Sequence, residues 1–261
     1  MLGNFGASTS FCKFGLPTLD EAIGGGLPRA STFLIEQEIG AEADPFILSF
    51  LANGLQSMDY TYLLSTEQTF DFYKKIFQSF GRNPDMELRT GRLRFIDAFS
   101  GSFQAGLSSI MATTDADHIG VERIADITDP REVNESIRRA LLHVQKGPTV
   151  GIRGAVISLS SIINTVGDNK QVFSFLQNRR AMDKLEGSTT LIALNSDAHD
   201  PLFIRAIEHM VDGILRVTRQ DDPNYEEPIQ QVEVIMIKGR AELVGKKTKF
   251  QFYSGRISEI D

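Results

Sequence analysis

The chain has 261 residues, 41% of them hydrophobic and 23% charged, with a formal net charge of −7. That balance suits one substantial α/β domain with its own core and disfavours general association with nucleic acid. No run approaches the roughly 20 apolar residues of a membrane span, the N-terminus lacks a secretion-signal pattern, and the single Cys12 excludes an internal disulfide. A cytoplasmic protein is expected, with Cys12 an ordinary residue because nothing near it in sequence activates a thiol.

In chain order, the apolar run Phe33, Leu34, Ile35 predicts a strand that enters a short loop, with a helix from Pro45. Apolar residues continue at helical spacing through FILSFLANGLQS (46–57). YTYLLS (60–65) predicts a strand, and TFDFYKKIFQSF (69–80) an amphipathic helix stopped by Gly81. RLRFID (92–97) predicts a strand, and the Gly-, Ser- and Ala-rich stretch 99–120 a flexible surface loop. Asp129-Pro130 starts a helix expected to run through ESIRRALLHVQ (135–145). GAVISLSS (154–161) reads as a buried strand, 169–185 as a helix, TTLIAL (189–194) as a strand and PLFIRAIEHMV (201–211) as a helix. The tail segments ILRVT, QQVEVIMIKG and TKFQFYSGRI alternate apolar and polar residues, which predicts antiparallel strands. Alternating strands and helices imply a mostly parallel twisted sheet with helices on both faces, in a single domain over 1–261.

The loop after the first of these strands, in STFLIEQEIGAEADP (31–45), has the strand–loop–helix setting of a Walker A motif, G-x-x-x-x-G-K-[ST]. On that pattern Gln37 takes the first Gly position, Glu42 the second, Ala43 the Lys position and Asp44 the Ser/Thr position. Gly40, a middle glycine, remains. The lysine for β/γ-phosphates and the hydroxyl for Mg²⁺ are both missing, and Glu36, Glu38, Glu42 and Asp44 crowd the loop. Carboxylates suit a helix N-terminus, so they can take the place of a phosphate there.

FGLPTLDEAIGGGLPRASTFLIE (14–36) resembles the opening of the RecA superfamily's KaiC-like branch, which is common in archaea. The resemblance runs over nearly the whole chain. It implies a RecA-like P-loop NTPase fold, and further site positions follow from it. The strand that ends VISLSS is similar to the family's Walker B strand, but Ile157 stands at the Asp position, before Ser158. An isoleucine cannot polarise the water shell of Mg²⁺, and it reads as plain core. In STEQTF (65–70), Glu67 matches the glutamate that orients the attacking water; it also suits capping of the helix that begins near Thr69. In IMIKGRAELVG (235–245), Lys238 and Arg240 match a K-x-R element that reaches a neighbour's γ-phosphate across a subunit interface. In a strand both would share one face, and a solvated strand edge is the equal alternative. STEQTF with its aromatic-rich helix looks closer to the FlaH-like branch, whose archaellum member binds ATP and acts as a scaffold.

Weaker constellations remain. Asp197, His199 and Asp200 in SDAHD, with Glu208 and His209, allow a metal site; a polar loop with Asp200 capping the next helix is favoured, because strict ligand spacing is lacking. Ser158, Ser160 and Ser161 near His199 lack the G-x-S-x-G elbow of a hydrolase. Arg89, Arg92 and Arg94 could bind nucleic acid if they converged with Lys238, Arg240, Lys246, Lys247, Lys249 and Arg256 of the tail.

These residues lead to one expectation, a non-hydrolysing pseudo-ATPase acting as a scaffold or regulatory subunit. It would self-associate into a ring, a hexamer being one form, or join an active relative. In either form, Lys238 and Arg240 of one subunit would face Glu42 and Asp44, or the nucleotide, of the next. No cofactor is expected; ATP and Mg²⁺ enter only under the alternative of an atypical ATP-binding enzyme. A nucleic-acid-binding recombinase paralogue is the third reading.

Overall fold

The computed structural model describes residues 11–100, 119–124, 126–142, 144, 150–225, 227–253 and 256–260. The short strands β1 (Phe11–Cys12) and β2 (Leu27–Pro28) pair antiparallel and bracket helix α1 (Pro17–Ala22). The other described strands form one ten-stranded sheet in the order β12-β11-β10-β9-β3-β8-β7-β4-β5-β6. The parallel part comprises β3 (Ser31–Gln37), β4 (Tyr60–Ser65), β5 (Leu93–Asp97), β6 (Val121–Arg123), β7 (Ile152–Ile157), β8 (Ser188–Asn195) and β9 (Gly213–Gln220). Then β10 (Ile229–Ile237), β11 (Lys247–Tyr253) and β12 (Arg256–Ile260) extend it as antiparallel hairpins, as the alternating tail predicts.

β3 lies mid-sheet between β8 and β9, and both its faces are covered by packed side chains. Its side chains alternate between two cores. Phe33 and Ile35 pack with α2 (Asp44–Gln56) and α3 (Phe70–Ser79) through Phe46, Phe50 and Phe77. Leu34 packs on the other face with α5 (Pro130–Ala140), α6 (Leu159–Val166), α7 (Asn169–Glu186) and α8 (Pro201–Glu208). The short α4 (Pro84–Arg89) leads into β5. Arg179 and Asp183 of α7 are almost wholly buried, and the Asp183 carboxylate accepts from Thr32, Ser188 and Thr190 at 2.5–2.8 Å. This bonding clamps α7 onto β3 and β8 and satisfies a carboxylate that burial would otherwise make costly.

The structure corrects several boundaries. β7 stops at Ile157, and residues 158–161 are not strand: Ser158 is the N-cap of α6, its Oγ accepting from Ser161 N. α5 ends at Ala140, short of the expected 145, and α8 ends at Glu208. Lys238 and Arg240 lie in the turn after β10, with Gly239 at φ +80° between them, so the same-face argument for a strand does not apply. Most of the expected loop at 99–120 lies outside the described residues.

Close packing of the central strands makes one substitution diagnostic. A Cβ at Gly154 of β7 would sit 2.0 Å from Tyr62 Cζ, and Tyr62 is buried and hydrogen-bonded to Thr190 at 2.8 Å. Gly154→Ala should therefore cost about 1–3 kcal/mol through overpacking, read as a lower denaturation midpoint. An unchanged midpoint would mean that Tyr62 is free to move.

Candidate functional site

Parallel strands deliver their carboxyl ends to one edge of the sheet, where ligands of such folds bind. At that edge β3 ends in Gln37, and residues 38–43 lead to α2. The side chain of Gln37 spans this loop. Its Oε1 accepts from Ala43 N at 3.0 Å, and its Nε2 donates to Asn195 Oδ1 at the end of β8. Gln230 of β10, itself buried, accepts from Glu42 N at 3.2 Å. Ile39 N donates to Asp197 Oδ2 at 3.4 Å, and Ala41 N to Glu38 O at 3.1 Å. Glu38 in turn accepts from Arg219 N at 2.9 Å. Gly40, at φ +87°, permits the tight turn. The loop N–H groups that a bound phosphate would use thus have acceptors within the chain at 39, 41, 42 and 43.

Asp44 opens α2 half-buried beside Glu67, Glu42 and the phenol of Tyr73. Burial, followed by the charges of Glu67 and Glu42, pushes its pKa up to about 7. The Tyr73 hydroxyl bonds Ser65 Oγ at 3.1 Å and the Asp44 carboxyl, and burial raises its pKa well above the usual value. Glu67 accepts from Ser161 Oγ at 3.3 Å. The N-cap of α3, Thr69, makes no side-chain cap bond of its own. Ile157 is 1% exposed and belongs to the core, while Ser158 N donates to Thr66 Oγ1 at 2.8 Å and ties β7 to β4. The loop, Asp44, Glu67 and the β7 end therefore converge at one edge. The partners Gln230, Asn195 and Tyr73 escaped sequence reading.

Other candidates do not converge. Asp200 caps α8, accepting from Leu202 N and Phe203 N, as its place before Pro201 predicts. His199 Nε2 lies 2.9 Å from Ser160 Oγ, and partial burial lowers its pKa. Ser160 is 4% exposed and also accepts from Asn195 N, so it serves the fold rather than nucleophilic attack. Glu208 and His209 lie about 12 Å along the helix axis from Asp200, away from a common metal. β5, which holds Arg94 and follows Arg92, and β11, with Lys247 and Lys249, stand towards opposite ends of the sheet. The basic residues therefore do not form one face. Arg92 donates to Leu55 O, and Lys247 pairs with Glu233 at 3.4 Å.

Lys238 and Arg240 sit at the opposite edge of the sheet, because Ile237 pairs with Gly213 at the start of β9. Arg240 donates to Ile23 O at 2.8 Å and to Gly26 O at 3.4 Å, and its guanidinium stacks 4.3 Å over Phe11. Lys238 is exposed, with its ammonium on Val211 O.

A family model described as ATPase: KaiC matches residues 12–250. The chain belongs to the KaiC family. A UPF0273 protein of Thermotoga maritima is 26% identical over 207 residues, 78% of either chain. A UPF0273 protein of Methanopyrus kandleri is 25% identical over 210 residues, 78% of this chain and 74% of its own. A KaiC-like protein of Pyrococcus horikoshii shares the fold with a TM-score of 0.71 at 16% identity, covering 96% of this chain and 99% of that one. An uncharacterized protein of the same organism, solved with an unknown peptide, gives 0.70 at 13% identity over 95% and 99%. The RecA-like fold of the KaiC family is therefore the frame in which the β3–α2 loop stands at the nucleotide edge. Among the described residues no helix is long and apolar enough to cross a membrane.

The raised pKa of Asp44 has a sign that can be tested. Its native pKa lies above the unfolded value, so the native state holds the proton longer and loses stability as pH rises from about 4 through about 7. Asp44→Asn should stabilise the protein by about 1–3 kcal/mol at about pH 8 and by almost nothing near pH 4. Thermal denaturation at both pH values checks this; an equal effect at both would exclude titration of Asp44 as the cause.

Proposed function

We propose that this KaiC-family chain is a non-hydrolysing pseudo-ATPase, a single RecA-like domain that serves as a scaffold or regulatory subunit of an oligomeric ring. The observation that carries this reading is the loop itself. Its N–H groups at Ile39, Glu42 and Ala43 donate to Asp197, Gln230 and Gln37, so a triphosphate would have to break those bonds before it could be cradled. Ala43 supplies no cation at the Lys position, and Asp44 presents a carboxyl where a Mg²⁺-binding hydroxyl is needed. Ile157 supplies no carboxylate from β7. A triphosphate would also meet Glu42 and Glu67, and like charges at short range oppose binding. Glu67, bonded to Ser161, then has no phosphate to direct water towards. The family's fold is kept while its reaction is lost, which leaves assembly as the retained property.

Isothermal titration with Mg-ATP, paired with a phosphate-release assay, tests the proposal. No binding heat and no release above the protein-free rate are expected. Saturable heat with turnover would contradict it in favour of the atypical ATP-binding enzyme, with the nucleotide held through adenine and ribose; saturable heat without turnover would overturn the closed loop and leave the non-hydrolysing reading standing.

A further inference from the structure

The C-terminal half of α7 and the residues that lead from α8 into β9 bound an open groove of about 400 Å³. Gln177, Arg180, Ala181 and Lys184 line one wall at helical spacing along α7, and His209 and Met210 line the other. Asp212, just before β9, builds the charged end of this groove. Its carboxylate is buried and fixed to the start of β3 by Thr32 N at 3.1 Å. Oδ1 accepts from Arg180 Nε and Nη2 at 3.2 and 2.9 Å, and Oδ2 pairs with Lys184 at 3.2 Å. One buried carboxylate thus orients two cations, whose side chains stay 38% and 49% exposed and so remain within reach of a ligand.

Lys238 lies outside the lining and adds to the field from beside it. Its ammonium rests on Val211 O, the residue between Met210 and Asp212. Partial desolvation and the charges of Arg180 and Lys184 lower its pKa, against the opposing pull of Asp212. Glu208, the other acid near this wall in sequence, acts on Glu36 of β3 instead. In this cluster three cations face one carboxylate, which leaves two positive charges over. The chemistry of the donors then selects the anion. The Nε–Nη2 edge of Arg180, the fork that matches a planar carboxylate, is taken by Asp212. What remains is Arg180 Nη1 and the Lys184 ammonium, separate point donors of the kind a tetrahedral phosphate accepts. A phosphate monoester carries a charge of about −1.5 to −2 near neutral pH, which matches the surplus.

We propose that this groove binds the phosphate group of a small phosphorylated molecule. Arg180 and Lys184 hold the phosphate, and Ala181 and Met210 pack against its organic part. A nucleic-acid strand needs a row of cations to follow its backbone, whereas Gln177 and Ala181 continue this wall without charge. The site is separate from the β3–α2 loop. Asp212 bonds the first turn of β3 while the loop leaves its far end, and the seven residues of β3 span about 23 Å.

Methyl and amide NMR of the full chain, titrated with phenyl phosphate at constant ionic strength, tests the proposal. The Met210 methyl signal should shift saturably. The methyl of Met86, exposed on α4, and the amides of Ile39 and Gly40 should stay fixed. Benzoate should shift Met210 less than phenyl phosphate does. Arg180→Gln with Lys184→Gln should abolish the shift. Gln177→Glu should abolish it as well; it adds a carboxylate at an exposed position and removes no ion pair, so it serves even if the first variant fails to fold. A Met210 signal that does not move, or a shift that survives Gln177→Glu, would overturn the proposal. Equal shifts with benzoate would overturn the choice of phosphate. A single-stranded oligonucleotide that moves Met210 at lower concentration than phenyl phosphate would make the groove a nucleic-acid contact and overturn the small-molecule assignment. Heat from Mg-ATP that disappears with Gln177→Glu would support this groove, and not the loop, as its source.

Discussion

The side-chain amide of Gln37 is the contact on which the β3–α2 loop depends. It accepts from Ala43 N and donates to Asn195, so it closes the loop and ties it to the neighbouring strand. A glycine at this position would leave the same space open. An amide oxygen and a phosphate oxygen are both acceptors for backbone N–H groups, and one can occupy the place of the other. Gln230 repeats the device from β10. The anion-binding capacity of the strand–loop–helix unit is therefore met internally, by neutral amides at Glu42 and Ala43 and by the Asp197 carboxylate at Ile39. The carboxylates around it line the rim: Glu42 faces solvent, and Asp44 is half-buried with its proton held towards neutral pH.

Much of the fold was legible because long elements carry strong periodicity. The central strands read as continuous apolar runs, and in the structure they are parallel and covered on both faces. The tail read as alternating, and it forms antiparallel hairpins with a part-exposed edge. What failed were positions where one residue changes the local geometry. Ser158 looks like more strand because SLSS continues an apolar run, yet its hydroxyl caps a helix. Lys238 and Arg240 look like strand because β10 runs straight into them; Gly239 at positive φ turns the chain instead. The site was legible as far as its positions, from Gln37 through Asp44 to Glu67 and Ile157. Its bonding was not, because Gln230 meets Glu42 across 188 residues and nothing local announces such a pair.

The central claim is that the loop N–H groups are already taken. Amide hydrogen exchange at Glu42 and Ala43, with and without saturating Mg-ATP, measures this directly. Slow exchange that does not change with Mg-ATP is the predicted result. Rapid exchange in the free protein, slowed by Mg-ATP, would show open donors awaiting a phosphate and would contradict it.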